Sequence, residues 1–191
     1  ILYHINDGTP GNGVWTTNTV ISGSDADGAM SVHVADIDSD GDLDIVAALF
    51  MTSHVVWVEN DGSPNNGGWS SHDVVSSSDS KESYDVTVAD IDGDGDPDIL
   101  EADQSNKIYW YENDGTPDDG TWSMTKIKGG VTDAQVVATA DLDNDGDIDV
   151  ISASYTGGKV LWHVNDGSPG DAVWTTYEIA TPIKPTSLFP V

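Results

Sequence analysis

Cysteine and arginine are both absent from the 191 residues, and so is any long apolar run. Without cysteine there are no disulfides, no thiol catalysis and no zinc–thiolate sites, and the redox compartment leaves no trace in the sequence. Without arginine, six Lys face 34 Asp+Glu, a formal charge of -28. A field of that sign repels phosphate backbones and anionic headgroups, which argues against nucleic acid and membrane surfaces and makes small cations the natural partners. No stretch approaches the roughly 20 apolar residues of a membrane span, so no membrane insertion is expected. The chain opens at Ile1 with neither Met nor a signal peptide, and reads as processed or excerpted. Glutamate is scarce as well, present only at 59, 82, 101, 112 and 178.

What the chain holds in quantity is aspartate, arranged in repeats. The string ADIDSDGDLDIVA starts at Ala35, ADIDGDGDPDILE at Ala89 and ADLDNDGDIDVIS at Ala140. A second string, Asn-Asp-Gly-[Ser/Thr]-Pro, starts at Asn6, Asn60, Asn113 and Asn165, each followed nine residues later by Trp15, Trp69, Trp122 or Trp174. The period is 51–54 residues. Each period reads as four short strands, in the second full copy Tyr84–Asp90, Asp98–Ala102, Lys107–Asn113 and Thr121–Ile127, separated by turn formers. No window has helical periodicity with caps. An all-β, propeller-type array of four-stranded antiparallel blades is expected, about three and a half repeats in one domain. The partial repeat is 1–30, full repeats fall at about 31–83, 84–133 and 134–180, and 181–191 is a Pro-containing tail or the start of a further repeat. A plain β-sandwich does not explain loops recurring at fixed phase.

Each aspartate loop places carboxylates at positions 1, 3, 5 and 9 with Gly at position 6, as in Asp36-x-Asp38-x-Asp40-Gly41-Asp42-x-Asp44. That spacing wraps oxygens round a hard cation while the glycine permits a sharp turn, and the position-7 carbonyl is a further ligand. Five Asp within nine residues repel one another unless a divalent ion compensates. All-oxygen ligation disfavours zinc and copper, and magnesium demands tighter octahedra, so three calcium ions are expected.

These cores resemble the FG-GAP/VCBS-type repeats of β-propeller proteins over about four-fifths of the chain. The resemblance implies calcium in a hairpin at one rim of each blade. Carried over, the ligands are Asp36, Asp38, Asp40 and Asp44; Asp90, Asp92, Asp94 and Asp98; and Asp141, Asp143, Asp145 and Asp149. Asp42, Asp96 and Asp147 fall where the backbone carbonyl ligates and the side chain stays free. Pro97 removes a donor and biases Asp96 to an extended shape, so the second loop is expected to differ slightly.

The recurring aromatics Tyr3, Trp57, Trp110 and Trp162, with Trp15, Trp69, Trp122 and Trp174, read as blade-to-blade packing, and an exposed ring among them as a sugar platform. The Asn-Asp-Gly segments read as turns. The histidines, at 4, 33, 54, 72 and 163, share no ligand spacing and read as ordinary strand residues. No nucleophile elbow, zincin or phosphate-loop motif occurs, so a non-catalytic protein is expected. No Asn-x-Ser/Thr sequon occurs, and the Thr/Pro/Ser tail offers acceptors for O-linked sugars. The reading is a calcium-stabilised extracellular or cell-surface repeat protein for adhesion or assembly, partnered by copies of itself or another surface protein. The alternatives are a carbohydrate-binding lectin-like propeller and an accessory domain of a larger secreted enzyme. Four Asn-Asp-Gly hairpins against three aspartate loops suggest either an excerpt of a larger propeller or broken ends completed by neighbours in a head-to-tail ring or filament, with the tail 181–191 and its Ile183, Leu188 and Phe189 as the inserted segment.

Overall fold

In the computed structural model the described residues are 1–9, 11, 13–75 and 82–180, without the side chains of 24 and 25. The tail assigned to neighbour insertion therefore lies outside the described residues. They form four separate antiparallel sheets, each a simple meander. The first pairs β1 (Leu2–Asn6) with β2 (Trp15–Thr19). The second runs β3 (Ala29–Ala35), β4 (Asp44–Leu49), β5 (His54–Asn60) and β6 (Trp69–Val75). The third is β7 (Ser83–Ala89), β8 (Asp98–Asp103), β9 (Lys107–Glu112) and β10 (Ser123–Gly129). The fourth is β11 (Ala134–Ala140), β12 (Asp149–Ser154), β13 (Lys159–Val164) and β14 (Thr175–Ala180). The four-stranded unit expected from the repeat is thus observed.

The middle strands of the second and third sheets are apolar on both sides because each of these sheets packs against a neighbour on either face. In β5, Val55 and Trp57 point one way, into a core shared with Ile99, Tyr109 and Tyr111 of the third sheet. Val56 and Val58 point the other way, into a core with Val20, which follows β2 of the first sheet. Leu100, Ile108 and Trp110 repeat the pattern against Ala134, Val137 and Val150 of the fourth sheet. Period-2 alternation thus fills two cores from one strand, which is why the segment reads as an unbroken apolar run.

First strands lie side by side, β7 packing against both β3 and β11. Asp85 on β7 ties all three together: the Ser31 hydroxyl donates to its Oδ1 at 2.6 Å and the Val137 N–H to its Oδ2 at 3.0 Å. Burial pushes its carboxyl up from the ordinary value, against the pull of those hydrogen bonds. Because first strands pack together, the three loops that follow them emerge at successive first hairpins of adjacent sheets.

Candidate metal centre

The aspartate loops join β3 to β4, β7 to β8 and β11 to β12. Two positions in each adopt left-handed backbone: position 4, which is Ser39 (φ 61), Gly93 (φ 76) or Asn144 (φ 62), and position 6, which is Gly41 (φ 98), Gly95 (φ 102) or Gly146 (φ 103). At φ near 100 a Cβ is strained, so position 6 is glycine in every copy. The turn aims the position-6 N–H back at the first aspartate, 3.1 Å from Oδ2 of Asp36, Asp90 and Asp141 alike. The position-7 N–H donates to the position-5 carboxylate, as from Asp42 to Asp40 at 2.8 Å.

This winding gathers carboxylates. One oxygen each from Asp36, Asp38 and Asp40 lies within 4.8 Å of the others, and the same holds for Asp90, Asp92 and Asp94 and for Asp141, Asp143 and Asp149. Asp44, Asp98 and Asp145 fall outside these groups. Desolvation, then repulsion from neighbouring aspartates, holds the position-3 carboxyl of Asp143 above its ordinary value, and desolvation leads likewise at Asp38 and Asp92.

Position 9 does something the spacing alone does not reveal. Asp44, Asp98 and Asp149 are fully buried, and each takes two backbone N–H groups. Oδ2 accepts from position 2 of its own loop, Ile37, Ile91 or Leu142, at 2.9–3.1 Å. Oδ1 accepts from Asn60, Asn113 or Asn165 at 2.8–2.9 Å. The residue closes its loop and anchors the later hairpin. Burial raises the Asp98 carboxyl to about 7 despite these bonds. Position 7 points elsewhere: a Cβ on Gly62 would meet Asp42 Oδ2 at 2.8 Å, one on Gly115 would meet Asp96 Oδ2 at 2.8 Å, and one on Gly167 would meet Asp147 Oδ2 at 3.0 Å. Those side chains lie against the Asn-Asp-Gly turns, away from the gathered carboxylates.

The donor set fits a hard divalent ion. Asp36 Oδ1 and Asp141 Oδ1 are buried and have no hydrogen-bond partner. An anionic oxygen so placed is costly unless a cation meets it. The second loop differs in one bond, the position-4 N–H of Gly93 donating to Asp90 Oδ1 at 2.8 Å. The difference arises at Gly93; Pro97 keeps the same carbonyl role as Leu43 and Ile148, accepting from the hairpin Asn.

A family model described as an FG-GAP-like repeat matches residues 2–47, 48–101 and 99–152. The chain belongs to the FG-GAP-like repeat family. A search of curated proteins finds no match. Each FG-GAP-like match runs from the second hairpin of one sheet through the aspartate loop of the next, half a sheet out of phase with the sheets themselves. The aspartate loops of consecutive units are then joined by a contact that the sequence did not disclose. Asn113 Nδ2 donates to Ile37 O at 2.9 Å, and Asn165 Nδ2 to Ile91 O at 2.8 Å, each reaching back to the loop of the preceding sheet. The Asn-Asp-Gly segments are turns, as expected, since Asp61 and Asp114 accept from the N–H two residues on. Their Asn is also an inter-repeat tie. The recurrence of Asn at fixed phase was the one available signal.

The aromatics fill the cores in most positions. Trp57, Trp110 and Trp174 are buried, and Trp162 is half-buried against Tyr177 with ring centroids 5.4 Å apart. Trp15 is the exception, 47% exposed. His163 is fully buried, with Ser152 Oγ 2.7 Å from Nε2 and Thr176 Oγ1 3.1 Å from Nδ1; desolvation, then the Lys128 charge, lower it to about 4.

Proposed function

We propose that the chain is a non-catalytic, calcium-stabilised, propeller-type repeat module of an extracellular or cell-surface protein, acting in adhesion or assembly with copies of itself or another surface protein. The observation that carries the calcium is the repeated gathering of three aspartate oxygens, with buried unpartnered oxygens at Asp36 and Asp141. Four-stranded meanders whose first strands pack side by side are what propeller blades require. FG-GAP-like repeats are typical of extracellular proteins, where millimolar calcium keeps weak sites filled, and no helix among the described residues is long and apolar enough to cross a membrane. Light scattering with and without calcium tests assembly: calcium-dependent particles larger than one chain are expected, and a strictly monomeric chain would end that reading.

A carbohydrate-binding reading has one observation in its favour. A shallow groove between β6 and β10 is lined by Asp73, Val75, Tyr111, Trp122 and Met124, with the Trp122 ring half-exposed beside a carboxylate. Retention on a polysaccharide column that disappears in Trp122→Ala supports it; equal retention of both chains counts against it.

A further inference from the structure

Glu59, His72 and Asp118 share no motif and belong to none of the aspartate loops, yet they converge. Glu59 lies on β5, His72 on β6 and Asp118 in the short 3-10 turn Pro117–Asp119 of the following sheet, and one ligand atom from each lies within 4.8 Å of the others. We propose that these three side chains form a mixed nitrogen–oxygen site for a late first-row divalent cation of the zinc class, clamping the second sheet to the β9–β10 connection of the third.

The histidine is prepared for this role by its surroundings. Its ring lies over the Trp57 indole, with centroids 4.5 Å apart and planes inclined by 23°. Trp57 is fully buried and acts as a fixed floor that restricts the imidazole. The ring therefore presents Nε2 to the cluster, 2.9 Å from Glu59 Oε2. Both side chains remain about a quarter exposed, so an ion from solution can reach them without opening the core.

Ligand chemistry separates this site from the loops. An imidazole nitrogen suits zinc, copper and nickel and is a poor ligand for calcium, whereas the loops offer oxygen alone. Two carboxylates supply the charge to balance a divalent ion, and three protein ligands leave a position for water or an outside ligand. The repeat does not impose the arrangement. One repeat earlier the equivalent residues are Ile5, Asn18 and Asn65, and one repeat later Glu112, Thr125 and Gly170, so neither offers three ligands. A plain Glu59–His72 ion pair requires neither a metal nor Asp118, and this difference makes the proposal testable.

The test uses the whole chain with calcium in large excess, so that the oxygen loops are occupied. Zn2+ is titrated by calorimetry, and Co2+ is followed by its visible absorption, which intensifies at low coordination number. One equivalent of Zn2+ should bind despite the calcium and displace Co2+. Asp118→Asn should weaken zinc by about tenfold or more, and His72→Ala more strongly still. Asp118 is exposed, so metal-free Asp118→Asn should melt as the parent does, which keeps the result readable even if His72→Ala disturbs the Trp57 stack. Absence of saturable zinc binding in calcium, or equal zinc affinity in the parent and Asp118→Asn, would overturn the site. Neither result bears on the calcium loops.

Discussion

At the scale of single residues, two aspartates four apart in one loop should behave differently. Asp92 offers its carboxylate to the gathered group, while the Asp96 side chain lies beside Gly115, outside that group. Asp92→Ala is expected to weaken calcium in the second loop by about tenfold or more, since it removes a charged ligand. Asp96→Ala should leave affinity nearly unchanged, and calorimetry on the two variants reads the contrast; equal losses would mean that the position-7 side chain coordinates. His163 gives a pH prediction of definite sign. Its folded pKa of about 4 lies below the ordinary 6.5, so between those values the unfolded chain binds the extra proton. Its neutral burial is compatible with full stability above about pH 6.5, and stability falls as pH drops toward 4, by up to about 3 kcal/mol. In denaturant titrations at pH 7 and pH 4.5, His163→Gln should lose less stability on acidification than the parent. Parallel losses in the two chains would remove His163 as a cause.

Between elements, the ties from each hairpin Asn to the preceding aspartate loop make neighbouring repeats depend on one another. Asn113→Ala leaves the carbonyls of Ile37 and Pro97 without their donor, an expected cost of about 1–3 kcal/mol for buried groups. The Asn60 side-chain amide donates to Leu43 O alone among the described residues, so Asn60→Ala should cost less. Chemical denaturation of both variants measures the order, and the reverse order would contradict the inter-repeat tie. The strands themselves were legible in the sequence: the expected Tyr84–Asp90, Asp98–Ala102 and Lys107–Asn113 differ from β7, β8 and β9 by a residue at most at each end. Alternating Val, Ile and Trp bounded by Asp, Gly and Pro carried that information. The double hydrogen bonding of Asp44, Asp98 and Asp149 was not legible, because ligand spacing and backbone anchoring put the same residue at the same position. The meeting of Glu59, His72 and Asp118 was hidden for a different reason. It depends on how one sheet leans on the next, and no local pattern records that.

Over the whole molecule, the charge of -28 and the repeated loops are two sides of one design. Carboxylates packed tightly enough to bind a cation repel one another without it, so on the calcium proposal folding and metal binding should be coupled. An ion that binds only the folded chain adds about 2.7 kcal/mol per site at a hundredfold excess over Kd. With three loops the effect is large against ordinary domain stability of about 5–15 kcal/mol. Ties such as Asn113 to Ile37 O and Asp85 to Ser31 and Val137 should spread that gain across sheets, so that melting stays a single transition when calcium is present. Two well-separated calorimetric transitions in saturating calcium would show the sheets to be energetically independent.

The most direct test of the calcium account is metal content combined with thermal melting on the same purified chain. Equilibrium dialysis against millimolar calcium should give three ions per chain, one for each aspartate loop, and a chelator should remove them and lower the melting temperature by many degrees. A chain that holds no calcium after dialysis, and melts at the same temperature with chelator as without, would contradict it.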